Sequence, residues 1–238
     1  MIDQAVVRVG STVVYVVSLA ILLAWLRRVP EDRRDLCYPV VLVVGVATAA
    51  AGLGMFDLGI VVVNGTEVVV PTLIDDLLAY TLLWVVAARL ADIEGRMLAF
   101  VAAIPVVQRL AFEVAAISGG LLALVGVVVV VGGHLALGGV FFGPIWRRAQ
   151  SIPEQRRLLH WKARNLLLFL IGMLIVYAVL SLFGIFDAFV QSTINQYMSI
   201  LIRVGFAGFL FANLDAVGDT SLRPSSATAD RTDATPAD

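Results

Sequence analysis

Seven stretches of mostly apolar residues follow one another along this chain, near 5–26, 38–56, 72–90, 94–112, 119–142, 163–184 and 190–213, separated by short polar links. Each matches the length of about 20 residues that a helix needs to cross a hydrocarbon core. Lipid offers no partner for peptide N–H and C=O groups. Such runs therefore predict helices, even where β-branched residues dominate, as in Val127 to Val131. The pattern predicts an all-α membrane protein, a bundle of seven transmembrane helices. The short links predict a single unit over 1–218, with no soluble catalytic module. Beyond it, residues 219–238 turn to Ser, Thr, Ala, Asp and Pro, a composition too polar to bury a core, which predicts a disordered tail. The first run lacks a basic start and a small-residue cleavage site, so it is expected to remain as a span rather than act as a secretory signal.

One link has its own pattern. Between the second and third runs, Ile60 to Val63 and Val68 to Val70 flank Asn64-Gly65. That dipeptide accepts positive φ at both central positions of a tight turn, so a short β-hairpin is expected here. Asn64-Gly65-Thr66 also fits a glycosylation sequon, but the turn accounts for it without a sugar.

Composition agrees with the membrane assignment. Apolar residues make up 60% of the chain and charged residues 15%, against roughly half and a quarter in soluble domains. The net charge of −1 conceals a strong asymmetry. Arg27, Arg28, Arg33, Arg34, Arg89, Arg96, Arg147, Arg148, Arg156, Arg157, Lys162 and Arg164 all fall at alternate links, on one side of the bundle. The positive-inside rule then places the N-terminus and the hairpin outside and the C-terminus in the cytoplasm of a multi-pass cell-membrane protein. Because these basic links follow topology, they do not imply nucleic-acid binding.

Small residues crowd the second run (Gly45, Ala47, Ala49 to Gly52, Gly54) and the fifth (Gly126, Gly132, Gly133, Gly138, Gly139), which predicts close helix packing. Cys37 is the only cysteine, so no disulfide or cysteine metal site is expected and it is read as a packing residue. His134 is expected to pack within the fifth run, and His160 with Trp161 to sit at the cytoplasmic boundary. Arg109 and Glu113, four residues apart, predict a helix-surface pair. No metal-ligand spacing, phosphate loop or nucleophile–base pair emerges, so the expectation is a protein without enzymatic activity and without a metal site.

The chemistry lies in the charges inside the runs. Arg203 falls near the middle of the seventh, and Asp75 and Asp76 in the first turns of the third. A charge at the bilayer centre costs roughly 2.5–3.5 kcal/mol on insertion scales, so these side chains should face the bundle interior and find partners. Asp76 projects about 100° around the helix from Asp75. It is expected to share a guanidinium, point into an internal pocket, or line a watery path from outside. Leu82, Leu83, Val85 and Val86 leave no polar path beyond the aspartates toward the cytoplasm.

The order of these features resembles the microbial rhodopsins, closest to the haloarchaeal sensory and pump types. The likeness covers roughly 5–218. Arg203-Val204-Gly205-Phe206-Ala207 resembles the family's Lys-Val-Gly-Phe-Gly stretch, with arginine in place of lysine. Phe141-Phe142-Gly143 through Pro153 to Arg164-Asn165-Leu166 resembles the link between the fifth and sixth helices. Ile74-Asp75-Asp76-Leu77 resembles the segment around the primary counterion. The resemblance implies a retinal bound as an aldimine to a lysine of the seventh helix. An arginine, always protonated, cannot form that bond, and the one lysine, Lys162, lies elsewhere. Matched position by position, Asp75 takes the counterion's place and Asp76 that of a tryptophan walling the retinal. Thr72 replaces an outer arginine, and Val86 the proton donor of pumps. Ile171, Leu174, Ile175 and Ala178 stand where the sixth helix carries its aromatic retinal box, and Ser199 where the second counterion stands. The resemblance further implies that Arg203 and Asp75 face each other as an ion pair, with Asp76 beside them.

Together these features predict a retinal-free rhodopsin homologue of a lysine-less branch, with no covalent cofactor. It would act in assembly, sensing or regulation, through itself, a chromophore-bearing rhodopsin or a transducer, within membrane lipid. Two alternatives stand beside this expectation: noncovalent binding of a lipid, carotenoid or retinal in the vacated pocket, and ion or proton translocation through Asp75 and Asp76.

Overall fold

A computed structural model describes residues 4–218. The segment 219–238, for which the sequence predicts a disordered tail, lies outside the described residues. Among the described residues, seven helices are long and apolar enough to cross a membrane. They are built from α1 (Gln4–Leu26), α2 (Arg34–Gly54), α3 (Val70–Arg89), α4 (Gly95–Ser118), α5 (Gly120–Phe142) with a short α6 (Pro144–Ala149), α7 (Glu154–Leu182), and a seventh span made of α8 (Ala188–Ile200), a π-helical turn (Leu201–Gly205) and α9 (Phe206–Ala212). A final short α10 (Asp215–Gly218) follows. The chain is a multi-pass, all-α membrane protein.

Two spans are longer than the apolar pattern suggests. The fourth continues to Ser118 rather than stopping near 112, and α7 begins at Glu154 rather than near 163. The pattern marks only the stretch that lipid must cover. Helix continues beyond it until the backbone is interrupted, by Gly119 in one case and by Pro153 in the other. Arg156, Arg157, Lys162 and Arg164 thus lie within α7 rather than in a link.

The hairpin forms as expected. β1 (Ile60–Val63) pairs antiparallel with β2 (Thr66–Val69), with Ile60 opposite Val69 and Val63 opposite Thr66. Asn64 and Gly65 both take positive φ, 51° and 80°, as a two-residue turn of this hand demands. The α4–α5 link is tighter still. Gly119 and Gly120, at φ 64° and 55°, reverse the chain between two long helices.

Small residues then let α4 and α5 meet closely. A Cβ at Gly126 would lie 2.5 Å from the Cβ of Ala115 and 2.7 Å from the carbonyl oxygen of Ala111. A Cβ at Gly133 would lie 2.6 Å from Gln108 Cγ. One hydrogen bond locks the pair, from Gln108 Nε2 to the Val130 carbonyl oxygen at 2.6 Å. Such packing and internal hydrogen bonding replace the missing hydrophobic drive in lipid. Gly132 and Gly139 meet no neighbour, so only part of the glycine-rich stripe serves contact.

The dry core lies toward the basic end of the bundle. Leu83, Val86, Ala87 and Leu90 of the third span and its exit pack with Leu137, Phe141, Ile145, Ala149, Ala163, Ile202, Phe206 and Leu210, all fully buried. Trp84 stacks obliquely on Phe141, ring centres 4.9 Å apart. Cys37 packs in the same interior. His160, expected at the membrane boundary, is also fully buried: it lies between Phe141 and Trp146, and its Nδ1 sits 2.8 Å from the Ala87 carbonyl oxygen. His160 shares one helix face with Ala163 and Leu167, three and seven residues on and both fully buried. At this end Arg156 pairs with Asp92, and Arg33 with Asp215 at 3.0 Å.

Candidate functional site

Arg203 sits on the π-helical turn of the seventh span and is fully buried. π turns are rare and occur frequently at functional positions. The guanidinium meets Asp75 side-on: Nε donates to Oδ1 at 3.2 Å and Nη2 lies 2.8 Å from Oδ2. Nη2 also donates to Asp76 Oδ1 at 2.6 Å, and Nη1 to Ser199 Oγ at 2.8 Å. Every nitrogen of the fork is engaged. The planar fork is the geometry in which arginine grips carboxylates best. Tyr80 lays its ring 5.5 Å from the guanidinium carbon, and Ser199 Oγ continues the chain of contacts to Tyr15 Oη at 2.9 Å.

The network extends further than the sequence suggests. Asp76 is a bridge: its second oxygen, Oδ2, accepts from Arg109 Nε at 3.0 Å. Arg109 in turn donates through Nη1 to Glu113 Oε2 at 2.6 Å. The Arg109–Glu113 pair expected on a helix surface is therefore the outer arm of the central cluster, because α4 turns this face toward α3. Two guanidiniums and three carboxylates join α3, α4 and the seventh span, with a hydroxyl arm to α1. Desolvation offsets much of the attraction in such a cluster, while removal of one partner leaves a buried charge exposed to nothing.

Two cavities flank the network. The central one, about 370 Å³, is lined by Asp76, Tyr80 and Trp84 of α3, Gln108, Arg109 and Phe112 of α4, and Ile171, Leu174, Ile175 and Ala178 of α7. Its size lies within the range of roughly 300–1,000 Å³ found for small-molecule sites. The lining is legible in the spacing. Thr72, Asp76, Tyr80 and Trp84 recur every four residues, and Ile171, Leu174, Ile175 and Ala178 every three or four, each series forming one face of its helix. The positions matched to the family's retinal box thus do line a hollow. Ser199 does not belong to that lining. It binds Arg203 and faces the second cavity. The central cavity's aromatic walls are Tyr80, Trp84 and Phe112 on α3 and α4, with Tyr177 on α7.

The second cavity, about 260 Å³, is polar and lies toward the hairpin. Arg8, Ser11, Tyr15, Asp57, Glu67, Gln196 and Ser199 line it together with Asp75. Asp75 and Asp76, adjacent in sequence and about 100° apart on the helix, face different cavities while sharing one guanidinium. Arg8 pairs with Asp57 at 3.2 Å across the outer rim. On the other side of the network, Leu83, Val86 and Ala87 are fully buried.

Arg109, Glu113, Tyr80, Trp84 and Phe112 were not singled out as site residues by sequence. Arg109 carried a usable signal, a charge inside an apolar run that must find an inward partner. Its pairing with Asp76, 33 positions away, has no local pattern.

Comparison with known structures gives the fold a context. No protein-family model matches the chain, and no curated protein matches its sequence. Solved structures do. Cyanorhodopsin from the cyanobacterium Tolypothrix sp. NIES-4075 superposes with a TM-score of 0.82 at 17% identity, covering 91% of this chain and 99% of the other. A light-driven proton pump of Coccomyxa subellipsoidea gives 0.80 at 14%, covering 88% and 96%. The thermophilic rhodopsin of Rubrobacter xylanophilus gives 0.78 at 19%, covering 90% and 97%. The chain has the seven-helix fold of the microbial rhodopsins.

Proposed function

We propose that this is a retinal-free member of the rhodopsin superfamily that holds an apolar ligand, without a covalent bond, in the cavity beside Arg203. The observation that carries the proposal is the engagement of Arg203. It is fully buried, every nitrogen is held by Asp75, Asp76 or Ser199, and a cavity of about 370 Å³ adjoins it. The cavity walls contain no amine, since the single lysine, Lys162, lies outside the lining. Aromatic and aliphatic walls favour a polyene or lipid chain through close apolar contact. The polar groups of Arg109, Asp76 and Gln108 would orient one polar end. The basic end of the bundle is taken as cytoplasmic on the positive-inside rule. Assembly with a second copy or another membrane protein, the leading expectation from sequence, draws no support from the central site.

The test is extraction of the protein from its native membrane, followed by native mass spectrometry and absorbance. A small apolar molecule should travel with the wild-type chain and be lost from Ala178→Phe, which fills the cavity. A clean protein that also fails to take up added carotenoid or fatty alcohol would refute the proposal.

A second reading is supported by the polar cavity that reaches Asp75 from the hairpin side. It is ion or proton translocation, the activity named for the Coccomyxa relative. The fully buried Leu83, Val86 and Ala87 stand against a route through the other half. Proton flux into liposomes that falls at least tenfold in Asp75→Asn would establish this reading. Equal flux in the two proteins would remove it.

A further inference from the structure

One buried cation lies outside the central network. Arg164 of α7 is only 3% exposed. Arg8, Arg33, Arg34, Arg109, Arg156 and Arg203 each reach a carboxylate. Among the described residues, none lies within ion-pair distance of Arg164. Its guanidinium instead sits between two rings, 4.3 Å from the centre of Phe142 and 4.9 Å from that of Trp146. Nε donates to Asn165 Oδ1 at 3.1 Å and Nη1 to the Phe141 carbonyl oxygen at 3.4 Å. The latter contact caps the C-terminal turn of α5, where a carbonyl lacks a helical partner and a cation is favourable. Capping uses one donor. Nη2 makes no hydrogen bond among the described residues.

The surroundings indicate what completes this site. Phe142 is 58% exposed at the end of its span, so the ring over the guanidinium also faces the hydrocarbon. Trp161 and Lys162, on the same helix, are exposed, as are Arg147 and Arg148 of α6. A half-capped guanidinium, apolar lips and further cations at the membrane boundary match an anionic group that carries acyl chains. A soluble anion would gain nothing from the exposed ring. We propose that Arg164, with Phe142 and Trp146, binds the phosphate headgroup of an anionic phospholipid at the basic end of the bundle. Basic pockets between helices at this level are suited to such headgroups.

The test uses the full-length chain in nanodiscs containing phosphatidylcholine and phosphatidylglycerol, with retained lipid read by native mass spectrometry. The wild type should keep phosphatidylglycerol in preference to phosphatidylcholine. Arg164→Gln should lower that retention roughly fivefold, and Arg27→Gln, an exposed arginine at the same end, should leave it unchanged. Arg164→Lys, which keeps the charge and loses the fork, should fall between. Should Arg164→Gln fail to fold, the wild-type preference and the lysine variant still decide. Equal retention of the two lipids, or no change in either Arg164 variant, would overturn the proposal. So would an equal stabilisation by inorganic phosphate added to phosphatidylcholine discs, which would reveal a site for free anions.

Discussion

The two halves of the bundle are built on opposite principles. The half nearer the hairpin is hollow and charged: two cavities flank a network of two arginines and three carboxylates, and Arg8, Asp57 and Glu67 line the outer cavity. The basic half is filled along its interior, with Leu83, Val86, Leu137, Phe141, Ile202 and Phe206 fully buried, and its hollow, about 550 Å³, lies at the polar end among Arg33, Arg89, Asp92 and Arg156. Charge in the central network is tolerable because Arg203, Arg109, Asp75, Asp76 and Glu113 each have a partner. Space in the first half is tolerable because the second half carries the packing.

Removing the hub of the charged half should have the largest effect. Arg203→Met leaves Asp75 and Asp76 buried side by side, and should lower unfolding free energy by about 3–5 kcal/mol, read by denaturant titration in bicelles. A loss under about 1 kcal/mol, the worth of an exposed pair, would mean that water already screens the cluster.

Comparable volume changes should then separate the halves. Leu83→Ala, in the filled half, should cost about 2–5 kcal/mol. Ala178→Leu, in the wall of the central cavity, should stay within about 0.5 kcal/mol, because the added methyl groups enter existing space. Equal costs would erase the distinction.

The α4–α5 seam sharpens it further. Gly126→Val should cost about 1–3 kcal/mol by forcing Ala111 and Ala115 away. Gly132→Ala, with no neighbour within 4 Å, should be neutral or slightly favourable. The smallest effect belongs to the hairpin. Gly65→Ala, at φ 80°, should cost about 1 kcal/mol. It should appear as faster amide exchange in Val61 to Val68, with the unfolding midpoint of the bundle unchanged.

How much of this was legible beforehand differs between the halves. Seven spans, the hairpin and its turn followed from hydropathy and from Asn64-Gly65, because lipid and φ restrict the chain locally. The inward faces of α3 and α7 were also present in the sequence, as recurrences every three or four residues. Arg109 was seen only with its local partner Glu113. Its bond to Asp76 depends on how α4 is rotated against α3, which no local pattern in either helix specifies. Hydropathy places His160 at the boundary because it marks where lipid begins and not where a helix does. Matched to the family's retinal box, Ile171, Leu174, Ile175 and Ala178 present an aliphatic face on α7. Tyr80, Trp84 and Phe112 supply walls from other helices and Tyr177 one from α7 itself, which position-by-position matching does not capture.

We propose that Arg203, with its carboxylate partners, fills the place of an aldehyde-tethering lysine. The direct measurement is to incubate the purified chain with all-trans-retinal, reduce with borohydride, and weigh the intact protein. The unmodified mass should persist, whether or not retinal binds. A mass gain of one retinyl group on the chain would contradict the account.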